Sequence, residues 1–408
     1  MSSSGLQVSE NLQYNKIPNV FEGSSNFVSF KPVGPTTYSQ DSEIKIRISS
    51  QDYLNTSRSY IKYRLKWTGG TTTDQDRLSK LGGVSVLRNV AIAMGGLEVE
   101  RINNYNAYCG LLYKRLPLTN QAFLKATELF DDRTGANAAN GAVIVHALKT
   151  AVFESNRHLP LAFIRGGIEL SLTLEGLNRV LSDNAVTPPT GFEISEVEFI
   201  GCMVSPPAEY LQETQKMLMS GASQKLPLVL IRNVRSSPSG ITDEEKSIHL
   251  GLVQSLRSVI GTFRTDAILN GANGDSFRDS VGGLESYAFR IGSTTYPKNK
   301  RVGCSTENAG ASDPESLMQA ICSLDNTYPH FLAKRPSENG EGYVYYNFAS
   351  NASVGSGVAV SDGILVNDFK YHTAPATTTS MDAFYHYDAY LLISAEEISV
   401  VSRNLEAI

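Results

Sequence analysis

Glu43-Ile44-Lys45-Ile46-Arg47-Ile48 alternates polar and apolar side chains without a break. Ile61-Lys62-Tyr63-Arg64-Leu65-Lys66-Trp67 and Ile168-Glu169-Leu170-Ser171-Leu172-Thr173-Leu174 do the same. A helix wound from such a stretch would scatter its apolar groups around the axis. A strand sends successive side chains to opposite faces, so one set enters a core and the other meets water. These segments therefore predict strands of sheets buried on one face. Lys62, Arg64 and Lys66 read as a solvated strand face rather than a ligand patch. Phe192–Phe199 shifts phase at Ser195-Glu196, which predicts a bulge or bend there.

The pattern recurs along the chain. Leu228–Arg232, Ile248–Leu252, Tyr287–Ile291, Val344–Phe348, Phe384–Ile393 and Ile398–Val401 all read as strands. Short helices are predicted over 104–115 and 119–130 and over about 207–220. The last follows Ser205-Pro206-Pro207, with Ser205 as the expected cap and Gly221 as the expected stop. A further capped helix is predicted from Asp313-Pro314, with Leu317, Ala320, Ile321 and Leu324 on one face. Gly95-Gly96 and Gly166-Gly167 read as tight strand junctions. Polar, glycine-rich loops are expected at 131–141, 266–286, 303–313 and 350–381. The 408 residues divide into halves of about 200, each strand-rich with helices only in its connections. Neither half alternates strand and helix as a parallel sheet requires. The fold class is all-β (mainly β with short helices), as two β-sandwiches.

Chemistry is sparse. Thirty-six Lys and Arg against 41 Asp and Glu give a net charge of −5, and Lys16 is the only basic residue among the first twenty. That balance speaks against a polyanion-binding protein, and no specific nucleic-acid binding is expected. Cys109, Cys202, Cys304 and Cys322 stand too far apart for a CxxC or zinc-finger pattern and read as free thiols. The six histidines form no HExxH or HxH. His386 and Asp388 share one side of a strand, where a metal or acid–base pair is geometrically conceivable and a polar face bonded to neighbouring strands or subunits is expected. No GxSxG elbow and no GxxxxGK[ST] loop occurs. Lys298-Asn299-Lys300-Arg301 reads as a solvated basic loop, and Tyr343, Tyr345 and Tyr346 as ordinary strand residues. No run of 18 apolar residues and no secretory leader are visible, so export is not expected. No catalytic residue, cofactor site or metal site is assigned, and the chain is not expected to be an enzyme.

Several stretches resemble one known family. Leu78–Asn106, "LSKLGGVSVLRNVAIAMGGLEVERINNYN", resembles the first barrel of the double jelly-roll major capsid proteins of double-stranded DNA viruses, closest to the polinton-like virus, adintovirus and virophage type. "GGIELSLTLEGLNRVL" (166–181) is similar to later strands of that barrel, and "PPAEYLQETQKMLMSG" (206–221) to the helix linking two barrels. "SLRSVIGTFR" (255–264), "YAFRIGSTTYP" (287–297) and "DAFYHYDAYLLIS" (382–394) follow in family order.

The resemblance implies two consecutive eight-stranded jelly-roll β-sandwiches. It divides the chain into an N-terminal arm (1–42), a first jelly roll (43–205), a linking helix (206–224) and a second jelly roll (225–408). It implies a structural subunit of a virion, assembled inside the host cell. Its homotrimer would form a pseudo-hexameric capsomer tiling an icosahedral shell. Its partners would be neighbouring capsomers, penton and minor capsid proteins and, in many members, an internal membrane. The N-terminal 40 residues match no part of the family and are expected to lie under the shell as an extended arm to a neighbour or a minor protein, and Phe289 would be a core residue of the second barrel. A two-domain carbohydrate-binding, lectin-like protein is the alternative, since it too is strand-rich and catalytically silent. It would need an exposed aromatic platform, and Trp67, the one tryptophan, lies in a core phase. A sandwich-fold glycosidase is a third reading, resting only on the abundance of carboxylates.

Overall fold

The computed structural model describes residues 24–69, 78–113, 118–130, 141–155, 157–181, 189–265, 284–298, 301–303, 343–349, 355–371, 379–395 and 397–401. In chain order, the N-terminal half contains β1 (Ser24–Phe30), β2 (Thr37–Ser39), β3 (Glu43–Ile48), β4 (Tyr53–Thr68), β5 (Leu87–Met94) and β6 (Leu97–Ile102). Helices α1 (Tyr105–Tyr113) and α2 (Leu118–Glu128) follow, then β7 (Ala142–His146), β8 (His158–Pro160), β9 (Ile168–Leu174), the short α3 (Leu177–Val180) and β10 (Gly191–Ser205). The main path of one sheet is β1-β10-β4-β7, and that of the other is β3-β9-β5-β6. Alternation sets the register. Ile44, Ile46 and Ile48 stand opposite Leu172, Leu170 and Ile168, and all six are buried. They face Ile61, Tyr63, Leu65 and Trp67 in one core.

Helix α4 (Ala208–Met219) leads into the second half. There follow β11 (Gln224–Ser236), β12 (Asp243–His249), β13 (Val253–Thr265), β14 (Leu284–Ile291), β15 (Thr294–Tyr296), β16 (Val302–Gly303), β17 (Tyr343–Asn347), β18 (Val358–Val360), β19 (Ile364–Tyr371), β20 (Thr379–Ile393) and β21 (Ile398–Val401). Its sheets run β11-β20-β13-β17 and β12-β19-β14-β15. If β2, β8, β16, β18 and β21 are set aside as short additions, both halves share one wiring. One sheet takes the first, eighth, third and sixth strands, and the other the second, seventh, fourth and fifth. The two sheets of the second half enclose Val259, Phe263, Tyr287, Phe289, Leu365, Phe369 and Tyr385. Phe289 is buried, with Tyr287, Phe348 and Tyr346 rings 5.9, 5.8 and 6.0 Å away.

Local expectations hold at several points. The pairing of β10 with β4 slips between Ser195 and Glu198, and Glu196 has φ 51°, so the phase break is a bulge. Gly95-Gly96 closes the β5–β6 turn with φ values of 58° and 87°, a conformation that side chains with a Cβ resist. Gly221, at φ 87°, ends the linking helix.

Other expectations are corrected. Ser205 does not cap α4. It ends β10, Pro207 occupies the cap position, and no side chain bonds the helix start. The strand placed at Ile248–Leu252 begins earlier, at Asp243, and ends at His249. The 350–381 stretch is not all loop, since it contains β18 and β19 and the start of β20. Within residues 1–42, expected as an N-terminal arm, Ser24–Phe30 and Thr37–Ser39 pair with β10 and so belong to the first sandwich. The helix expected from Asp313-Pro314 lies outside the described residues. Among the described residues no helix is long and apolar enough to cross a membrane.

Candidate assembly interface

The joint between the sandwiches is built from β6, the fifth main strand of the first, and β11, the first main strand of the second. Leu226, Leu228, Leu230 and Ile231 of β11 belong to the same apolar cluster as the first core, with Ile260, Tyr345 and Phe384 beside them. The outward face of the second sandwich's sheet is therefore apolar here and is covered by the first sandwich. Helix α1 supplies the lid. The Tyr108 ring packs on Phe384 at 5.1 Å, and its hydroxyl lies 3.0 Å from Nε2 of His386. Asn104 donates from Nδ2 to Asp382 Oδ1 at 2.8 Å. Asp382 also accepts from Arg264 Nε at 2.8 Å and from Arg264 Nη2. Arg264 and Asp382 are both fully buried.

Helix α1 is held on its own sandwich by a polar cluster. His146 of β7 places Nδ1 3.0 Å from Glu128 Oε1, and Tyr113 donates to Glu128 Oε2 at 2.6 Å. Tyr105 lies 2.8 Å from His146 Nε2 and accepts from the Lys149 N–H at 2.6 Å. All four side chains are buried. Such a network, once satisfied, admits one arrangement of α1 and α2. Glu100 of β6 is buried at the joint. Its Oε1 accepts from the Ala151 N–H at 3.1 Å. Loss of water pushes its carboxyl up to about 8, against the opposing pull of the backbone N–H groups of Ala151, Val152 and Ile231.

The residues weighed as sites in the sequence fall as follows. His386 faces Tyr108, and its Nδ1 lies 3.1 Å from Ser258 Oγ, so it belongs to the joint. Asp388 instead holds Ser255, Arg257 at 3.2 Å and the Gly355 N–H at 2.8 Å. The two do not form a shared pair. Arg301, expected in a solvated cluster, binds Asp368 at 2.6 Å and Ser286 at 2.9 Å. Cys109 and Cys202 are free and buried, and burial pushes the Cys109 thiol up. Cys304 and Cys322 lie outside the described residues. Among the described residues no three His, Cys, Asp or Glu side chains converge on a point. Glu100, Glu128 and Arg264 escaped sequence reasoning, because nothing in a sequence separates a buried charge from a solvated one.

No family model matches the sequence, and no curated protein matches it. Solved structures do. PBCV-1 VP54, fitted into a reconstruction of the virophage Sputnik, superposes with a TM-score of 0.63 at 12% identity, over 94% of this chain and 98% of that one. The Faustovirus major capsid protein gives 0.62 at 8% identity, over 92% and 91%. The mavirus major capsid protein gives 0.51 at 10% identity, over 99% and 94%. Together with the twice-repeated strand order, these settle the architecture. The fold is a double jelly roll. Among the described residues each jelly roll shows eight main strands, and α1 and α2 occupy the connection between the fifth and sixth strands of the first. The carbohydrate-binding alternative gains no support, since Trp67 is buried and offers no platform.

Proposed function

We propose that this chain is the major capsid protein of a double-stranded DNA virus, a structural subunit of the virion and not an enzyme. The supporting observation is the likeness to major capsid proteins over nine-tenths or more of the chain, spanning both jelly rolls and the joint between them. In this reading the first jelly roll ends at residue 205, residues 206–224 link, and the second jelly roll runs from residue 225. Three chains form a pseudo-hexameric capsomer of six jelly rolls that tiles an icosahedral facet. A closed ring needs a rigid angle between its units, and the buried joint at Tyr108, Asp382 and Arg264 supplies one. Neighbouring capsomers and penton and minor capsid proteins are the partners. No cofactor and no nucleic-acid contact is assigned, in keeping with the net charge of −5. Electron microscopy of the purified protein tests the reading. Particles with three-fold averages and a hexagonal outline are expected. Uniform single-chain particles at the same concentration would count against it.

A further inference from the structure

Glu100 of β6 is buried where the two jelly rolls meet. Its Oε1 accepts from the Ala151 N–H at 3.1 Å, and the N–H groups of Val152 and, across the joint, of Ile231 in β11 also draw on the carboxyl. Its Oε2 has no hydrogen-bond partner among the described residues. A protonated carboxyl suits this seat. A carboxylate there would be a buried charge with one oxygen unpaired. Among the described residues no Lys, Arg or His pairs with it, and each surrounding element offers something else. On β6 itself Arg101 is bound to Glu98. Lys149 is bound to Glu154 at 3.4 Å, and Glu154 repels a charge on Glu100. Arg232 of β11 donates to the Leu250 carbonyl at 2.7 Å. Tyr387 faces it from β20, its hydroxyl pushed up by burial and to a smaller extent by Glu100. Strand β5 places Ile92 opposite Glu100, and β21, which lies against β6, brings only Ile398–Val401.

The core of the second jelly roll, between its own two sheets, is a separate apolar cluster from the one that spans the joint. Water entering at Glu100 therefore reaches the joint before it reaches that core. We infer that Glu100 is a proton-controlled latch: protonated, it lets β6 and β11 close, and ionised, it draws water in and lets the two jelly rolls part while each stays folded. In the closed joint, loss of water holds the carboxyl up to about 8, whereas in the open joint it returns to its ordinary value of 4.5. Between those values opening releases a proton. Opening therefore becomes about tenfold more favourable per pH unit and levels off above about pH 8. In the capsomer proposed above, the joint sets the angle between jelly rolls, so the latch would regulate assembly. That role rests on the capsid reading, and the latch itself does not.

Hydrogen exchange of the full chain as a function of pH, read at single amides by fragmentation mass spectrometry, tests the latch. The reporters are the Ala151 and Ile231 N–H groups. The references are the Tyr287 and Phe369 amides, in strands β14 and β19 of the second core. After correction for the intrinsic rate, exchange at the wild-type reporters should rise about tenfold per pH unit through the neutral range and level off above about pH 8, with the references unchanged. Glu100→Gln and Glu100→Met should both remove the rise. Ionisation without opening would strengthen the Ala151 hydrogen bond and slow its exchange, so flat or falling wild-type reporters would overturn the inference. This wild-type profile decides even if a variant fails to fold. A rise shared by the references would mean unfolding of the second core and would also overturn it, as would a rise that survives in both variants. Native mass measured on the same samples reports the trimer separately. Absence of a trimer at every pH would overturn the capsomer reading and leave the latch standing.

Discussion

Tyr108 and His386 stand 278 positions apart in the chain, yet the Tyr108 hydroxyl lies 3.0 Å from the His386 ring nitrogen. Tyr108 is buried, so the bond works in a dry setting beside the Phe384 ring. Tyr108→Phe keeps the ring packing and removes the hydrogen bond, at a cost of about 1 kcal/mol. Tyr108→Ala removes both and should cost about 3 kcal/mol or more. A double-mutant cycle with His386→Ala in urea should give a coupling of at least about 0.5 kcal/mol. Zero coupling would mean that the two residues do not hold the jelly rolls together.

Arg264 and Asp382 form a buried ion pair to which Asn104 adds a third member. Removing one partner strands the other charge, so Asp382→Ala should destabilise by about 3–5 kcal/mol. Replacing both by apolar residues of similar volume should cost much less than that. Denaturation midpoints of the single and double variants decide it, and equal losses would contradict the account.

Glu100 makes stability depend on pH. Its carboxyl titrates near 8 in the folded chain, against an ordinary value of 4.5. Between those values the unfolded chain has released a proton that the folded chain keeps, so stability falls as pH rises through this window. The contribution is a few kcal/mol, roughly 1.4 per pH unit. Glu100→Gln should therefore gain on wild type as pH rises from 5 to 8. Parallel melting-temperature profiles for the two proteins would refute this.

Phe289→Ala tests the core of the second jelly roll. The ring is fully buried among three other aromatic rings, and its loss should cost about 3–5 kcal/mol. Melting temperature and soluble yield should both fall, and an unchanged melting point would contradict the core assignment.

The parts of the fold visible in sequence were those where alternation is unbroken, as in β3, β4 and β9. Strand β19 was hidden by Asn367, which takes a core position and bonds the buried Tyr385 hydroxyl at 3.0 Å. The first part of strand β12 was hidden because, in Asp243-Glu244-Glu245-Lys246, Glu244 turns inward to accept from the Ser239 N–H and hydroxyl. Strand β1 shows no period because six of its seven residues are exposed and only Phe30 packs on the core. The joint was illegible for a different reason. Asn104 and Tyr108 meet Asp382 and His386 only through the packing of one complete sandwich on another, and no local pattern encodes that.

Native mass spectrometry of the purified chain tests the central claim most directly. Three chains of 44.4 kDa make a species of about 130 kDa, which is what a closed three-fold capsomer requires. That species should dominate at micromolar concentration. A single species at the mass of one chain, under conditions where the protein is folded, would contradict the capsid account.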